Sequence, residues 1–269
     1  MIAGTCALLS IQTATAGDRL GYGESVDIPQ GDPVMDEVGQ SSRDGWLEGW
    51  EFQLTPYGWA SGLDGAIGVG GLSSNVDIDF SDIFENLDAS LMLALDGRRD
   101  RVGFILEGFW LKLSDSIDTP GPLFSEVDIK VEEILINGAV YYRALEGPLT
   151  LDLMAGARYV YIDNELGFDA GLAAARSAQG SEDWVDPIVG IRARFDITDR
   201  LYAMLLADVG GFGAGSDLTW QVYLGFGYQL TESLDAKIGW RHMEIDYERG
   251  GFLYDVEMDG LAIGLGFTF

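Results

Sequence analysis

The chain has little cysteine, little histidine and little positive charge. Its 269 residues include one cysteine, Cys6, and one histidine, His242, so neither a disulfide framework nor a Cys/His metal cluster can be built. Sixteen lysines and arginines stand against 44 aspartates and glutamates, which gives a net charge of −28. Because nucleic acids and anionic membrane surfaces are bound through basic side chains, both are excluded as partners.

The sequence also lacks long apolar runs. No stretch of eighteen apolar residues occurs, so a transmembrane helix is excluded. Strands remain as a means of crossing a bilayer, and they must close into a barrel because hydrocarbon cannot satisfy unpaired backbone groups. No glycine-rich phosphate loop or nucleotide fingerprint is present, and we expect no cofactor and no resident metal.

What the sequence does have is strict alternation with a period of two residues. At the carboxyl end, Phe269, Phe267 and Leu265 alternate with small residues, and segments 149–161 and 218–230 show the same apolar face. Apolar-outward segments of about ten residues, ending in Tyr or Trp, are typical of transmembrane β-barrels. A soluble β-sandwich or lipocalin-like barrel also alternates, and alternation alone does not decide which face lies inside.

Three regions follow one another along the chain. Residues 1–16 carry no charge and end in a small-x-small pattern, so we predict a signal peptide. Residues 17–47 are polar and aperiodic and predict a flexible acidic lead-in. Residues 48–269 predict an all-β, antiparallel, up-and-down transmembrane barrel in the bacterial outer membrane, in contact with its lipid and lipopolysaccharide.

We predict about ten strands, with eight or twelve as alternatives. They lie near 50–62, 89–97, 101–113, 128–143, 147–163, 184–197, 200–212, 217–230, 233–247 and 254–269. Four connections are tight and the others are mostly longer, which assigns the tight ones to the periplasm. Region 63–88 stays undecided between an external hairpin, a plug and two extra strands.

Charged residues on the non-lipid face predict an ionic lumen, because buried charges must be paired. The predicted ladder comprises Glu107, Glu133, Asp152, Arg158, Asp186, Arg192, Arg194, Asp208, Asp235, Lys237 and Arg241. A degenerate repeat, G-x-R-aromatic-x-x-I-D-x-E, begins at Gly156 and again at Gly239. Each copy places an arginine inward and an acidic pair at the outer rim: Asp163, Glu165, Asp246 and Glu248.

These features favour a non-enzymatic role. A ten-stranded barrel is little wider than the eight-stranded barrel that side chains fill, so we predict a structural or surface-interaction protein with a largely charge-filled lumen. The alternatives are a narrow channel for small polar solutes and a hydrolase using the rim carboxylates. His242 falls on the lipid-facing phase, so a catalytic role is disfavoured. Acidic loops suggest divalent cations as further partners, and the oligomeric state stays open.

Several strings resemble a family of Gram-negative outer-membrane β-barrel proteins that carry no agreed activity. The matching pieces span most of the chain from about residue 48: Pro56–Ala60 leading into Gly65–Gly71, Val76–Ile83 with Asn86–Asp88, Trp184–Arg192, Asp208–Gly213 through Ser216–Trp220, and Gly239–Arg241. The resemblance implies fold and location. Relatives tend to carry Tyr where this chain has His242, which argues against a preserved catalytic histidine.

Overall fold

The structure is a computed structural model that describes residues 47–81, 87–118 and 124–269. The predicted signal peptide and nearly all of the predicted lead-in lie outside the described residues. Eleven strands are present in the described part: β1 Glu51–Val69, β2 Leu72–Ile78, β3 Leu87–Arg99, β4 Val102–Asp118, β5 Phe124–Leu145, β6 Leu149–Ala170, β7 Arg176–Asp196, β8 Leu201–Gly211, β9 Leu218–Gln229, β10 Leu234–Arg249 and β11 Phe252–Thr268.

Ten of these strands close into an antiparallel ring. Each pairs with its neighbour in chain order from β3 to β11, and β1 closes the ring by pairing with both β11 and β3. The eleventh, β2, pairs with the far end of β1. The predicted up-and-down barrel of about ten strands is therefore confirmed. No helix among the described residues is both long and apolar enough to span a bilayer.

Region 63–88, which the sequence left undecided, contains a hairpin. Strand β1 continues to Val69, and the chain reverses through Gly70 and Gly71 into β2. Both glycines have positive φ angles, 61° and 81°, as a two-residue hairpin turn demands. Gly250 and Gly251 make the equivalent turn between β10 and β11.

The prediction of mostly long loops at this end of the barrel is wrong. Strand β6 runs to Ala170 and β7 starts at Arg176, whereas the sequence placed their ends at 163 and 184. The residues assigned to loops instead extend the strands. The physical reason is that alternation continues past residue 163, but with its polarity reversed.

Strand β6 shows this reversal. Its outward residues are apolar from Leu149 to Tyr161 and then become Asp163 and Glu165. Its inward residues include Asp152 and Arg158 in the first stretch, followed by Val160, Ile162, Leu166 and Phe168 in the second. We call the part with the apolar outward face the belt half, and the part beyond Ile134, Tyr161 and Arg241 on their strands the extended half.

The two halves have different interiors. The extended half encloses an apolar core to which most of the strands contribute, and Ile67, Ile162 and Ile245 in it are fully buried. Each such side chain contributes about 1.5–3 kcal/mol through burial. The belt half encloses charged and polar side chains while exposing leucine, valine and phenylalanine outward. The prediction of an outward apolar face thus applies to the belt half and is wrong for the extended half.

Candidate functional site: the interior of the belt half

Arg158 lies at the centre of the belt-half interior and is fully buried. Its guanidinium donates hydrogen bonds to Asp208 at 2.7 Å, to the Asn137 side-chain oxygen at 2.8 Å and to the Thr219 hydroxyl at 2.5 Å. These partners come from β8, β5 and β9, so one side chain on β6 joins four strands across the lumen. Charge-assisted bonds of this kind offset the desolvation of a buried arginine.

Arg241 on β10 makes a similar set of contacts. It donates to both Glu107 oxygens at 2.8 and 3.0 Å, to Gln221 at 2.6 Å and to the Tyr57 hydroxyl at 3.2 Å. The indole of Trp59 lies 4.8 Å from its guanidinium carbon. The glutamate is thereby neutralised from across the barrel.

The two arginines belong to one closed cycle of side chains. Asn137 accepts from Arg158 and donates to Glu107 at 2.8 Å, while Gln221 accepts from Arg241 and donates to Asp208 at 2.5 Å. Six residues from six strands, Glu107, Asn137, Arg158, Asp208, Gln221 and Arg241, therefore form a continuous ring of hydrogen bonds. We call it the central ring.

A second network of charged side chains lies in the belt half, further from the extended half than the central ring is. Arg192 pairs with Asp152 at 2.8 Å and with Asp96, and Arg143 donates to Asp152 at 2.8 Å. Tyr141 donates to Asp96 at 3.0 Å and lies under the Arg192 guanidinium. This network lines a mouth cavity of about 350 Å³.

The remaining predicted ladder residues of the belt half have local partners. Asp235 accepts from Tyr202, and Lys237 donates to Gln53 at 2.5 Å and lies 3.9 Å from Asp235. Arg194 is exposed and pairs with Asp196 in its own strand, so it takes no part in a ladder across the lumen.

Two predicted ladder residues have no cationic partner in the described part of the chain. Asp186 accepts from the backbone N–H and the hydroxyl of Ser216 and from the indole of Trp184, so it anchors the loop before β9. Glu133 is buried among apolar side chains, and its Oε1 makes no hydrogen bond to the described protein. Neither residue makes an ion pair within the described part of the chain, because strand phase fixes the face but not the partner.

The four predicted rim carboxylates do not form one site. Asp163 and Glu165 lie on β6, Asp246 and Glu248 lie on β10, and three strands separate the two pairs. Glu165 pairs with Lys130 at 3.2 Å. The described residues contain no group of three or more acidic, His or Cys side chains arranged to hold a metal ion.

Asp246 lies in an acidic outward patch of the extended half. It is directly opposite Asp255 in the β10–β11 register, next to the Glu244–Glu257 pair. Burial raises the pKa of Asp246, and the negative charges of Asp255 and Asp217 raise it further. His242, at the edge of this patch, faces outward as predicted, with Nδ1 3.2 Å from Asp259 and its ring against Trp220.

The sequence analysis missed the two neutral members of the central ring and four residues near them. Asn137, Gln221 and Thr219, together with Tyr57, Asp96 and Arg143, were not among the predicted site residues. All six lie inward, so a search of the inward phase for amides and hydroxyls as well as charges would have found them.

No family model and no curated protein sequence matches the chain. Solved structures with a similar fold include the outer membrane protease OmpT from Escherichia coli, at 14% identity and a TM-score of 0.49, covering 82% of this chain and 97% of that one. The translocator domain of the autotransporter NalP from Neisseria meningitidis has 11% identity and a TM-score of 0.47, with 87% and 90% covered. Ail, the attachment invasion locus protein of Yersinia pestis, has 11% identity and a TM-score of 0.33, with 82% and 99% covered.

At these identities the similar structures carry no information about activity, and the membrane assignment rests on the barrel's own surface. Leu153, Val140, Leu224 and Trp240 are at least half exposed on the outward face of the belt half. A contiguous apolar band around a closed antiparallel barrel is compatible with lipid and not with water. The chain is therefore a transmembrane β-barrel, as its sequence predicted.

Proposed function

We propose that the protein is a non-conducting outer-membrane barrel of the structural or surface-interaction type, whose extended half stands above the lipid. The proposal rests on one observation: two layers of buried side chains fill the lumen one above the other. The central ring spans the belt half, and the apolar core spans the extended half beyond it.

The alternative of a narrow channel for small polar solutes is less well supported. A solute entering from the mouth cavity would meet Arg158 and Arg241, each held by three or more hydrogen bonds. Beyond them it would meet fully buried Ile162 and Ile245, which exclude water as a bulk phase. Conduction would need both layers to open together.

The extended half supports a role at the cell surface. Its outward face carries acidic residues while its inward face is apolar, so it is a water-exposed barrel continuous with the lipid-facing one. Extension of a barrel beyond the lipid is typical of the extracellular side. Lipid and lipopolysaccharide would contact the belt half, and divalent cations would meet the acidic patch around Asp246.

A hydrolase built on the rim carboxylates is disfavoured by geometry. A carboxylate mechanism needs two side chains facing one reacting bond, whereas the β6 and β10 pairs face outward from different sectors of the ring. We therefore assign the protein no enzymatic activity.

Planar-bilayer conductance tests the proposal. Purified wild-type protein should insert without stable current steps. A variant with Ile67, Ile162 and Ile245 changed to Gly and with Arg158 changed to Ser, which thins both layers, should conduct. Stable steps from the wild type would contradict the proposal, and the three-Gly variant with Arg158 intact shows whether the central ring alone blocks the pore.

A further inference from the structure

Among the described residues, the wall of the barrel is interrupted between β1 and β3. The β1–β3 pairing ends at Pro56 opposite Leu93, and pairing of β1 with β2 begins at Leu63. Between them, residues 57–61 of β1 pair with β11 on one side and with no described strand on the other. Proline explains the end of the pairing, because it has no N–H to donate to a ladder.

The interruption lies within the apolar belt, near its boundary with the extended half. Gly58 and Ala60, which face outward here, lie opposite Ile263 and Leu261 of β11, and both of those side chains are exposed. Two residues after Ala60, Gly62 lies opposite Asp259, which marks the end of the apolar belt. The interruption therefore faces the lipid leaflet next to the extended half.

A cavity of about 440 Å³ passes through this interruption. Its lining combines the outward side chains Leu91 and Leu261 with the inward side chains Trp59, Phe109 and Glu133. The described lining therefore comes from both faces of the same wall. The cavity volume falls in the range of about 300–1,000 Å³ that small-molecule sites occupy.

Three buried polar groups line this otherwise apolar cavity without hydrogen bonds to the described protein. They are the Trp59 indole N–H, and Glu133 Oε1 and the Tyr254 hydroxyl, which face each other without a hydrogen bond of ordinary geometry. Each of the three residues is more than nine-tenths buried. A buried polar group without a partner is costly, and groups of this kind in a cavity indicate a partner that is not part of the chain.

We propose that the cavity is a lateral binding site for a hydrophobic molecule with a hydroxyl head group, such as a medium-chain alcohol, entering from the lipid leaflet. A hydroxyl fits the polar set because it donates to the Glu133 oxygen and accepts from the Trp59 N–H at once. An alkane leaves both groups unpaired. The apolar walls bind the chain.

Photolabelling tests the site in lipid nanodiscs, where every probe partitions equally for wild type and variants. The probe is a 1-dodecanol analogue with a diazirine in its chain, and labelled residues are identified by mass spectrometry. Labels should concentrate at residues 58–62 and 90–92. Substitution Glu133→Leu should reduce labelling up to about tenfold, in line with the loss of one buried hydrogen bond.

The matched control is Glu132→Gln, which alters the neighbouring carboxylate on the opposite face of β5, bonded to Trp110. It should leave labelling unchanged. Trp59→Phe, a conservative change that removes the indole donor, should weaken labelling without unfolding the barrel. The proposal is overturned by even labelling around the belt, by a dodecane probe labelling the site as strongly, or by unchanged labelling in both Glu133→Leu and Trp59→Phe.

Discussion

The belt half and the extended half bury opposite kinds of side chain on the same strands. On β6, Arg158 and Ile162 both point inward and both are fully buried. In the extended half water lies outside, so burying apolar side chains drives closure of the barrel. In the belt half lipid lies outside, and the interior is held by hydrogen-bonded charges instead. The outward side chains of each half are suited to the medium around it, lipid or water. The inward side chains supply the interactions that stabilise that half.

The repeat G-x-R-aromatic-x-x-I-D-x-E encodes this change in a single motif. Its arginine, Arg158 or Arg241, joins the central ring, and its isoleucine, Ile162 or Ile245, joins the apolar core. Its aspartate, Asp163 or Asp246, faces outward in the extended half. Each copy therefore crosses the boundary between the two halves.

The largest expected effect comes from breaking the central ring. Arg158→Leu leaves Asp208 buried without its cation, and we expect a loss of about 4 kcal/mol in the free energy of unfolding. Urea unfolding in lipid vesicles measures it. The double variant with Asp208→Leu removes both charges and should recover most of the loss. If the single variant is as stable as the wild type, the ring does not hold the belt half together.

The stability of the extended half should depend on the volume of its buried apolar side chains rather than on buried charges. Ile162→Ala creates a cavity in the apolar core and should cost about 3.5 kcal/mol in the same assay. The matched control is Val140→Ala, which removes apolar volume on the lipid-facing surface, and it should cost far less. Equal losses in the two variants would mean that the core of the extended half is not tightly packed.

An added charge on the outward face should distinguish the halves more directly. Leu153→Arg places a cation in the belt and should cost about 3 kcal/mol, as measured for lipid-facing positions near the bilayer midplane. Asp163→Arg, on the same strand and face but beyond the belt, should change stability by less than about 0.5 kcal/mol. A cost at residue 163 equal to that at residue 153 would place the lipid boundary elsewhere.

The smallest effect concerns the acidic patch. Because the pKa of Asp246 is raised in the folded state, protonation favours folding, and this stabilisation is lost as the pH rises through the raised pKa. At neutral pH Asp246→Asn should therefore stabilise the barrel by about 0.5 kcal/mol. At acid pH, where Asp246 is protonated, the difference should vanish.

Urea unfolding at the two pH values measures this difference, and Asp199→Asn, in a tight turn at the other end of the barrel, is the control. The control removes a negative charge outside the patch and should leave the free energy of unfolding at neutral pH unchanged. A stabilisation by Asp246→Asn that is the same at both pH values would show that repulsion in the patch is not its cause.

Strand phase could be predicted from the sequence because period-two alternation depends on local geometry alone. The outward face of β9 and β11 follows directly from residues such as Leu224, Phe226 and Phe267. The extended half was missed because its alternation carries the opposite polarity. Beyond Asp163 the acidic residues resembled loop ends, although Leu166 and Phe168 continue the period with apolar residues facing inward.

Ion-pair partners could not be predicted, since they are set by closure of the ring rather than by strand phase. Glu107 and Arg241 are 134 residues apart and meet because β4 and β10 face each other across the lumen. Asp186 lies on the predicted face but bonds to the loop residue Ser216, which no strand pattern locates. The interruption beside Pro56 likewise depends on a tertiary pairing that ends, although the proline itself is visible in the sequence.

Spin labels along one outward face of β6 test the central claim most directly. With Cys6 replaced by Ser, single cysteines at every second position from Leu149 to Gly167 are labelled, and their collisions with oxygen and with a water-soluble nickel complex are compared in lipid vesicles. The account predicts lipid-like accessibility through Tyr161 and a change to water-like accessibility at Asp163. Lipid-like accessibility that continues to Gly167, or water-like accessibility at Leu153, would contradict it.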